Sequence, residues 1–230
     1  MAAAPAIRLA VDAIVFGYRE GRLFLLLIQR RFGATKGMWA LPGGFVLSSE
    51  GLTTAVHREL KEETGIAVKW MEQLFTFGDD VHRDPRGRVV SVAYFALVDP
   101  SALKPHADTD ASAADWFPLD ELPKLAFDHS TIVRTALDRL RAKLTYQPIG
   151  FELLDRDFAF SDLETLYTTI LERPLDRRNF RKKFMALGLL KATGKSRQLG
   201  SGRPAQLFRF DRKSYETLQQ KGIFLDLNAG

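Results

Sequence analysis

Between Gly43 and Ile66 the chain places Arg58, Glu59, Glu62 and Glu63 within six consecutive positions. If this stretch is helical, an advance of about 100° per residue from Leu52 puts Ala55, Val56, Glu59, Glu62 and Glu63 on one arc. Apolar and acidic side chains then share a face, while Thr54, His57 and Lys61 occupy the opposite one. Carboxylates crowded on a partly buried stripe repel each other and raise each other's pKa unless a cation compensates them. A divalent ion supplies that compensation. Oxygen-only ligands select a hard cation, Mg²⁺ or Mn²⁺, which completes its shell with oxygens from a bound polyphosphate. Arg58 can brace the array as a bidentate guanidinium. Glu50 falls where the helix dipole favours an acid, and Gly43-Gly44 lets backbone come close to metal or phosphate.

The surrounding elements must hold this helix in place. Apolar, β-branched runs at Ile7 to Tyr18 and Arg22 to Arg31 flank Glu20-Gly21 and read as a hairpin. A loop through Gly33, Gly37 and Pro42 leads to the acidic helix. Strands are expected at Ile66 to Phe77 and Val89 to Leu97, separated by the polar loop GDDVHRDPRGR. Strands and helices mix without regular alternation, which predicts an α+β or layered fold rather than a doubly wound one. Helical spacing of Ile132, Ala136, Leu137, Leu140 and Leu144 predicts a connector helix over about 129–144. The boundary is expected around Pro148-Ile149-Gly150, giving domains 1–147 and 148–230.

Composition narrows the classes. The 230 residues, 46% hydrophobic and 27% charged, suffice for one large core or two modest ones. No cysteine is present, which excludes disulfides, thiolate zinc sites and cysteine nucleophiles and agrees with a reducing cytoplasm. Pro5, Arg8 and Asp12 interrupt the first apolar stretch, so neither a signal peptide nor a membrane span is expected. The net charge of +5 is unevenly spread. Residues 1–150 are balanced, whereas Arg173 to Lys213 carries 13 basic and 2 acidic residues. That segment calls for an anionic partner.

The order Gly44, five residues, Glu50, seven residues, then Arg58-Glu59-Leu60-Lys61-Glu62-Glu63-Thr64-Gly65-Ile66 resembles the Nudix box at every defined position. The resemblance covers about Ala6 to Phe127 and implies an α/β/α sandwich around a mixed sheet. It implies Glu59, Glu62 and Glu63 as metal ligands, the Gly44 carbonyl as a further one, and Arg58, Glu62 and Glu63 as the catalytic candidates. Metal-activated water, helped by a carboxylate, would attack a pyrophosphate. The loop 78–97 resembles one in Nudix proteins that handle ADP-ribose. Arg86 and Arg88 are candidates for phosphate or ribose oxygens, or else form a solvent-exposed turn. Trp39 and Phe45 either stack on adenine or pack. His82 and His129 are read as structural, and Asp108, Asp110 and Asp115 stand as candidates for a further acid.

The C-terminal unit needs its own account. SDLETLYTTILE opens with Ser161 and Glu164 at capping-box spacing and carries Leu163, Leu166, Tyr167 and Ile170 on one side. Pro174 stops it, Asp176 caps a second helix, and Gly188 ends that one. With Phe180 at zero, Phe184 and Leu187 form the buried stripe, and Arg178, Arg181 and Lys182 point outward, as a major-groove helix requires. Arg177 joins this basic face. Two short strands follow around a tip with Lys195, Arg197 and Arg203, as in the wing of a winged helix.

A Nudix domain followed by a winged helix resembles the NrtR family of Nudix-related transcriptional regulators of NAD metabolism. LAFDH at Leu125 to His129 and RPLDRRNFRKKFMALGLL at Arg173 to Leu190 extend the likeness over nearly the whole chain. It implies a homodimeric repressor that binds double-stranded operator DNA and loses affinity when ADP-ribose fills the Nudix pocket. Many members carry damaged boxes and do not hydrolyse the ligand, whereas this chain keeps every box position. A Mg²⁺-dependent ADP-ribose pyrophosphatase and a regulator of sugar catabolism are the alternatives.

Overall fold

The first hairpin forms as expected, with β1 (Arg8–Arg19) antiparallel to β2 (Arg22–Arg30) and Arg19 opposite Arg22. Glu20 and Gly21 both adopt positive φ, 52° and 78°, the geometry of a two-residue turn whose twist matches the strands. The computed structural model describes residues 6–107, 111–198, 202, 204–222 and 225–227. They divide into two units, Met1–Leu137 and Asp138–Gly230. The division falls within a helix, α2 (His129–Tyr146), that spans the expected connector.

In the first unit β3 (Trp39–Ala40), β4 (Gly43–Phe45), β5 (Glu72–Phe77), β6 (Val89–Val98) and β7 (Ala111–Pro118) complete a seven-stranded sheet. Its main path runs β3-β2-β1-β6-β5, with β4 paired to β1 and β7 to β2. Only the β1–β6 pair is parallel among the strand pairs described, so the sheet is mixed, as the sequence predicts. Central β1 is buried without interruption from Ala10 to Phe16, the pattern of a strand covered on both faces. Asp12 is the only charged residue in that run.

Helix α1 (Leu52–Thr64) packs Ala55, Val56 and Leu60 against Val11, Ala13, Val15 and Val92. Gly65 ends it at φ 69°, donating to the Lys61 carbonyl, a left-handed cap that suits glycine. The strand expected to begin at Ile66 starts only at Glu72. Ile66 is instead drawn into the core directly after the cap, 2% exposed, which delays extended pairing. The pairing of β7 with β2 was not anticipated, because ASAADWFP has no clear alternation of apolar and polar residues.

The second unit places α3 (Phe160–Leu171), α4 (Arg177–Ala186) and α5 (Arg212–Gln220) with a sheet of β8 (Phe158–Ala159), β9 (Leu190–Arg197) and β10 (Ala205–Phe210) in the order β8-β10-β9. The capping acid of α3 is Asp162, which accepts from the Ala159 amide at 2.9 Å, not Glu164. The helix starts at Phe160 with Ala159 as its N-cap, two residues earlier than a Ser161 cap implies, which shifts the box by the same offset. Asp176 caps α4 by accepting from the Asn179 amide at 3.0 Å, and Gly188 turns the chain at φ 66°. Tyr167, Phe180 and Phe184 meet with ring centroids 4.7–5.3 Å apart, an edge and tilted cluster of the kind aromatic cores favour. Among the described residues no helix is long and apolar enough to cross a membrane.

Candidate functional sites

The acidic helix is organised by Arg58. Its Nε and Nη2 donate to Glu50 at 3.0 and 2.5 Å, its Nη1 to Glu59 at 2.8 Å and to Glu62 at 3.1 Å, and its Nη2 also reaches the Phe45 carbonyl at 3.2 Å. Hydrogen bonds from Arg58, then from the Leu47 amide, hold Glu50 down at about 2. Burial pushes the Glu59 carboxyl up, outweighing the opposing pull of Arg58. Glu63 is buried and accepts from the Gly43 amide at 2.8 Å. Glu62 departs from the expected inward arc, with a side chain 47% exposed. The buried stripe centres on Val56, Leu60 and Glu63, and Glu62 lies beyond its edge. Among the described residues no three His, Asp or Glu side chains stand together as a metal-holding group.

The donor set still suits a hard cation. Every side-chain candidate offers oxygen, and Gly44 runs so close to Glu59 that a Cβ there would stand 2.4 Å from its carboxylate oxygen. Any larger residue there would push the Glu59 carboxylate aside.

Beside this helix a pocket is lined by Asp12, Arg30, Gly43, Gly44, Arg83, Asp84, Arg86, Phe127 and His129, among others. Arg83, 4% exposed along its side chain, donates to both Asp128 oxygens at 2.8 and 2.6 Å and lies 3.9 Å from Asp12. Ser91 donates to the same Asp12 carboxylate. His129 accepts the Leu41 amide at Nδ1, 2.9 Å, and its Nε2 is 3.5 Å from Asp12. Burial lowers the His129 pKa; Asp12 and Asp128 oppose this, while Arg83 and Arg30 add to it. The ring is therefore neutral, with its Nε2 hydrogen facing Asp12.

Arg86 forks onto Asp84, with bonds of 3.0, 3.1 and 2.7 Å, and its guanidinium lies over the rings of Phe45 and Phe127, 4.6 and 5.2 Å from their centroids. Phe127 holds a φ of 53°, a costly conformation for a bulky residue.

Of the four ligand candidates the structure brings Arg86 to the pocket lining, and Phe45 reaches it only as the ring beneath the Arg86 guanidinium; the other two lie elsewhere. Trp39 sits edge-on to Phe117 at 4.5 Å, held by the pairing of β3 with β2. Arg88 donates to the Gly78 carbonyl at 2.6 Å and braces its own loop. Asp115 is exposed on β7, where it accepts from the Trp116 amide. His82 is exposed on its loop, and Asp108 and Asp110 lie outside the described residues. Sequence reasoning did not single out Asp12, Arg30, Arg83, Asp84, Phe127 or Asp128. The signal for Asp12 was a lone carboxylate inside an otherwise apolar strand, and that for Phe127 and Asp128 was the LAFDH stretch that carries the family likeness; nothing local marks Arg30, Arg83 or Asp84.

In the second unit α4 exposes Arg177, Arg178, Arg181 and Lys182 while burying Phe180 and Phe184. Arg181 lies over Phe160 at 4.6 Å, and Arg177 stands 3.7 Å from Glu164. The wing candidates differ. Lys195 is 3.3 Å from Asp157, and Arg197 is paired with Asp162 and with Asp155. Arg203 lies outside the described residues.

Residues 6–136 match the model of the NUDIX domain, and residues 150–210 that of the NrtR DNA-binding winged helix domain. The chain is 36% identical over 216 residues to an ADPR responsive transcriptional repressor, NtrR, of Acinetobacter baylyi, covering 92% of this chain and 85% of that protein. It is 44% identical over 125 residues to an ADP-ribose pyrophosphatase of Methanocaldococcus jannaschii, covering 54% and 70% of the two chains. Shewanella oneidensis NrtR, solved in complex with a 27mer DNA, superposes with a TM-score of 0.79 at 34% identity over 90% of this chain and 95% of that one. With an intact box on α1, a polar pocket beside it and a basic helix in the second unit, the chain belongs to the Nudix family, in the branch that joins a Nudix domain to an NrtR winged helix.

Proposed function

We infer that this protein is an ADP-ribose-responsive transcriptional regulator, acting as a cytoplasmic homodimeric repressor of NAD metabolism genes. Residues 1–147 sense the ligand and residues 148–230 bind the operator. The observation that carries this reading is the two-domain likeness to a repressor over 92% of the chain, joined to an α4 whose cations face solvent. Arg178, Arg181 and Lys182 suit the major groove: arginine reads guanine edges, and neighbouring cations meet phosphates. Arg86 and Arg30 supply cations for a diphosphate, and Phe127, the aromatic ring in the pocket lining, supplies a surface for a base.

A second reading, Mg²⁺- or Mn²⁺-dependent hydrolysis of ADP-ribose, draws support from the complete box and the likeness to a pyrophosphatase. Gly44, Glu59, Glu62 and Glu63 are the residues that would hold the ion, which when bound supplies charge neutralisation of a diphosphate and an acidified water. Arg58 donates to Glu59 and Glu62, and Glu62 and Glu63 are the carboxylates that would help activate the water. Slow or absent turnover is compatible with sensing.

Fluorescence anisotropy of labelled operator duplex tests the first reading. Nanomolar binding that weakens on adding ADP-ribose supports it, and absence of duplex affinity at low salt defeats it. Appearance of AMP in the same mixtures with Mg²⁺ reports the second.

A further inference from the structure

The cations of the second unit fall into two groups. On α4, Arg178 and Lys182 are exposed, and no carboxylate among the described residues lies in ion-pair range of either. On the sheet the basic side chains are matched. Asp157, immediately before β8, accepts from Arg209 Nε and Nη2 at 2.8 and 2.6 Å and from Lys195 at 3.3 Å. Arg197 is matched by Asp162 and Asp155, and Lys191 pairs with Asp211 at 2.5 Å. The pairing of β8 with β10, Phe158 opposite Phe208, sets Asp157 beside Arg209, and β9 carries Lys195 to its other side.

Exposed ion pairs contribute little to folding, and Lys195 and Arg209 remain 67% and 42% exposed. Their larger effect is on charged partners. A cation already matched by a carboxylate releases fewer counterions when a phosphate approaches, and the carboxylate itself repels that phosphate.

We propose that Asp157 is a built-in counter-charge that limits duplex affinity by holding Lys195 and Arg209 on the protein instead of on phosphate, leaving α4 to carry most of the electrostatic binding. The consequence is sequence-independent. Weakening of the backbone contribution from the wing leaves a larger share of affinity to the helix that reads bases, so a ligand-driven change at the helix releases the operator more readily. This rests on the duplex-binding reading.

Anisotropy over a salt series, with operator and random duplexes, tests it on full-length wild type, Asp157→Asn, Lys195→Ala and the double variant. Asp157→Asn is expected to tighten both duplexes roughly fivefold at low salt and to steepen the slope of log affinity against log salt by between about 1 and 2. The Lys195→Ala loss is expected to be several-fold larger in the Asp157→Asn background than in wild type. An Asp157→Asn protein with wild-type melting temperature and no gain in affinity overturns the proposal. Wild type that binds no duplex overturns instead the reading beneath it. Lysine methylation read by mass spectrometry on wild type alone needs no variant to fold: duplex is expected to protect Lys182 and to leave Lys195 reactive, and equal protection of both also overturns the proposal.

Discussion

Arg83 and Asp128 form a forked pair, with two parallel hydrogen bonds of 2.8 and 2.6 Å, that ties the loop before β6 to the start of α2. The guanidinium is nearly sealed from solvent, and burial alone would disfavour its charge; Asp128, Asp12 and Asp84 outweigh that penalty and hold it protonated. Removing one member of such a pair strands the other. Asp128→Asn is expected to destabilise the first unit by about 3 kcal/mol in urea denaturation, since an uncompensated buried charge is costly. A loss below about 1 kcal/mol would mean that Asp12 suffices as counter-ion.

His129 makes stability depend on pH. Its folded pKa lies below the unfolded value of about 6.5, so in the window between the two the unfolded chain binds the extra proton. Stability is then fully present above about pH 6.5 and falls as pH drops below it towards the folded pKa. Chemical denaturation at a series of pH values should show that decline, and His129→Gln should flatten it. A variant with an unchanged pH profile would assign the decline to other groups.

The aromatic faces over which Arg86 lies lead to a ligand experiment. Phe127→Leu keeps an apolar side chain at the strained backbone position but removes the ring. ADP-ribose affinity by calorimetry is expected to fall about fivefold, the worth of one aromatic stack. Trp39→Leu, on the far side of the Phe117 contact, should leave that affinity within about twofold while lowering stability.

Glu63→Gln separates sensing from turnover. It preserves size and removes the charge that accepts the Gly43 amide. AMP formation with Mg²⁺ should disappear, whereas operator binding and its release by ADP-ribose should persist. Loss of operator binding in this variant would tie the box to DNA recognition directly.

Two neighbours on α4 should behave differently. Arg181 is steadied by the Phe160 ring and is expected to read a base, so Arg181→Ala should cost about 1–3 kcal/mol on the operator and much less on random duplex. Lys182→Ala should weaken all duplexes alike and lower the salt slope by about 1. Equal losses for both variants on both duplexes would argue against a reading helix.

Much of this molecule is written in neighbouring residues. The turn at Glu20-Gly21, the cap at Asp176, the stop at Gly65 and the inward stripe of α1 all follow from local propensity and helical spacing. So do the exposed cations of α4, because Phe180 and Phe184 leave only one face for them. Spacing could not decide which acids end up buried. Glu62 lies just past the stripe and stays in water, while Glu63 turns under Gly43. Nor could it assemble the pocket, since Arg83 and Asp128 are 45 positions apart and meet only once strand order is established. The same holds for Lys195 and Asp157, which look like a free wing cation and an unremarkable acid until β8 pairs with β10. Local geometry is set by torsions and periodicity along the chain. Partners for charges are set by which strands lie side by side, and that is a property of the whole fold.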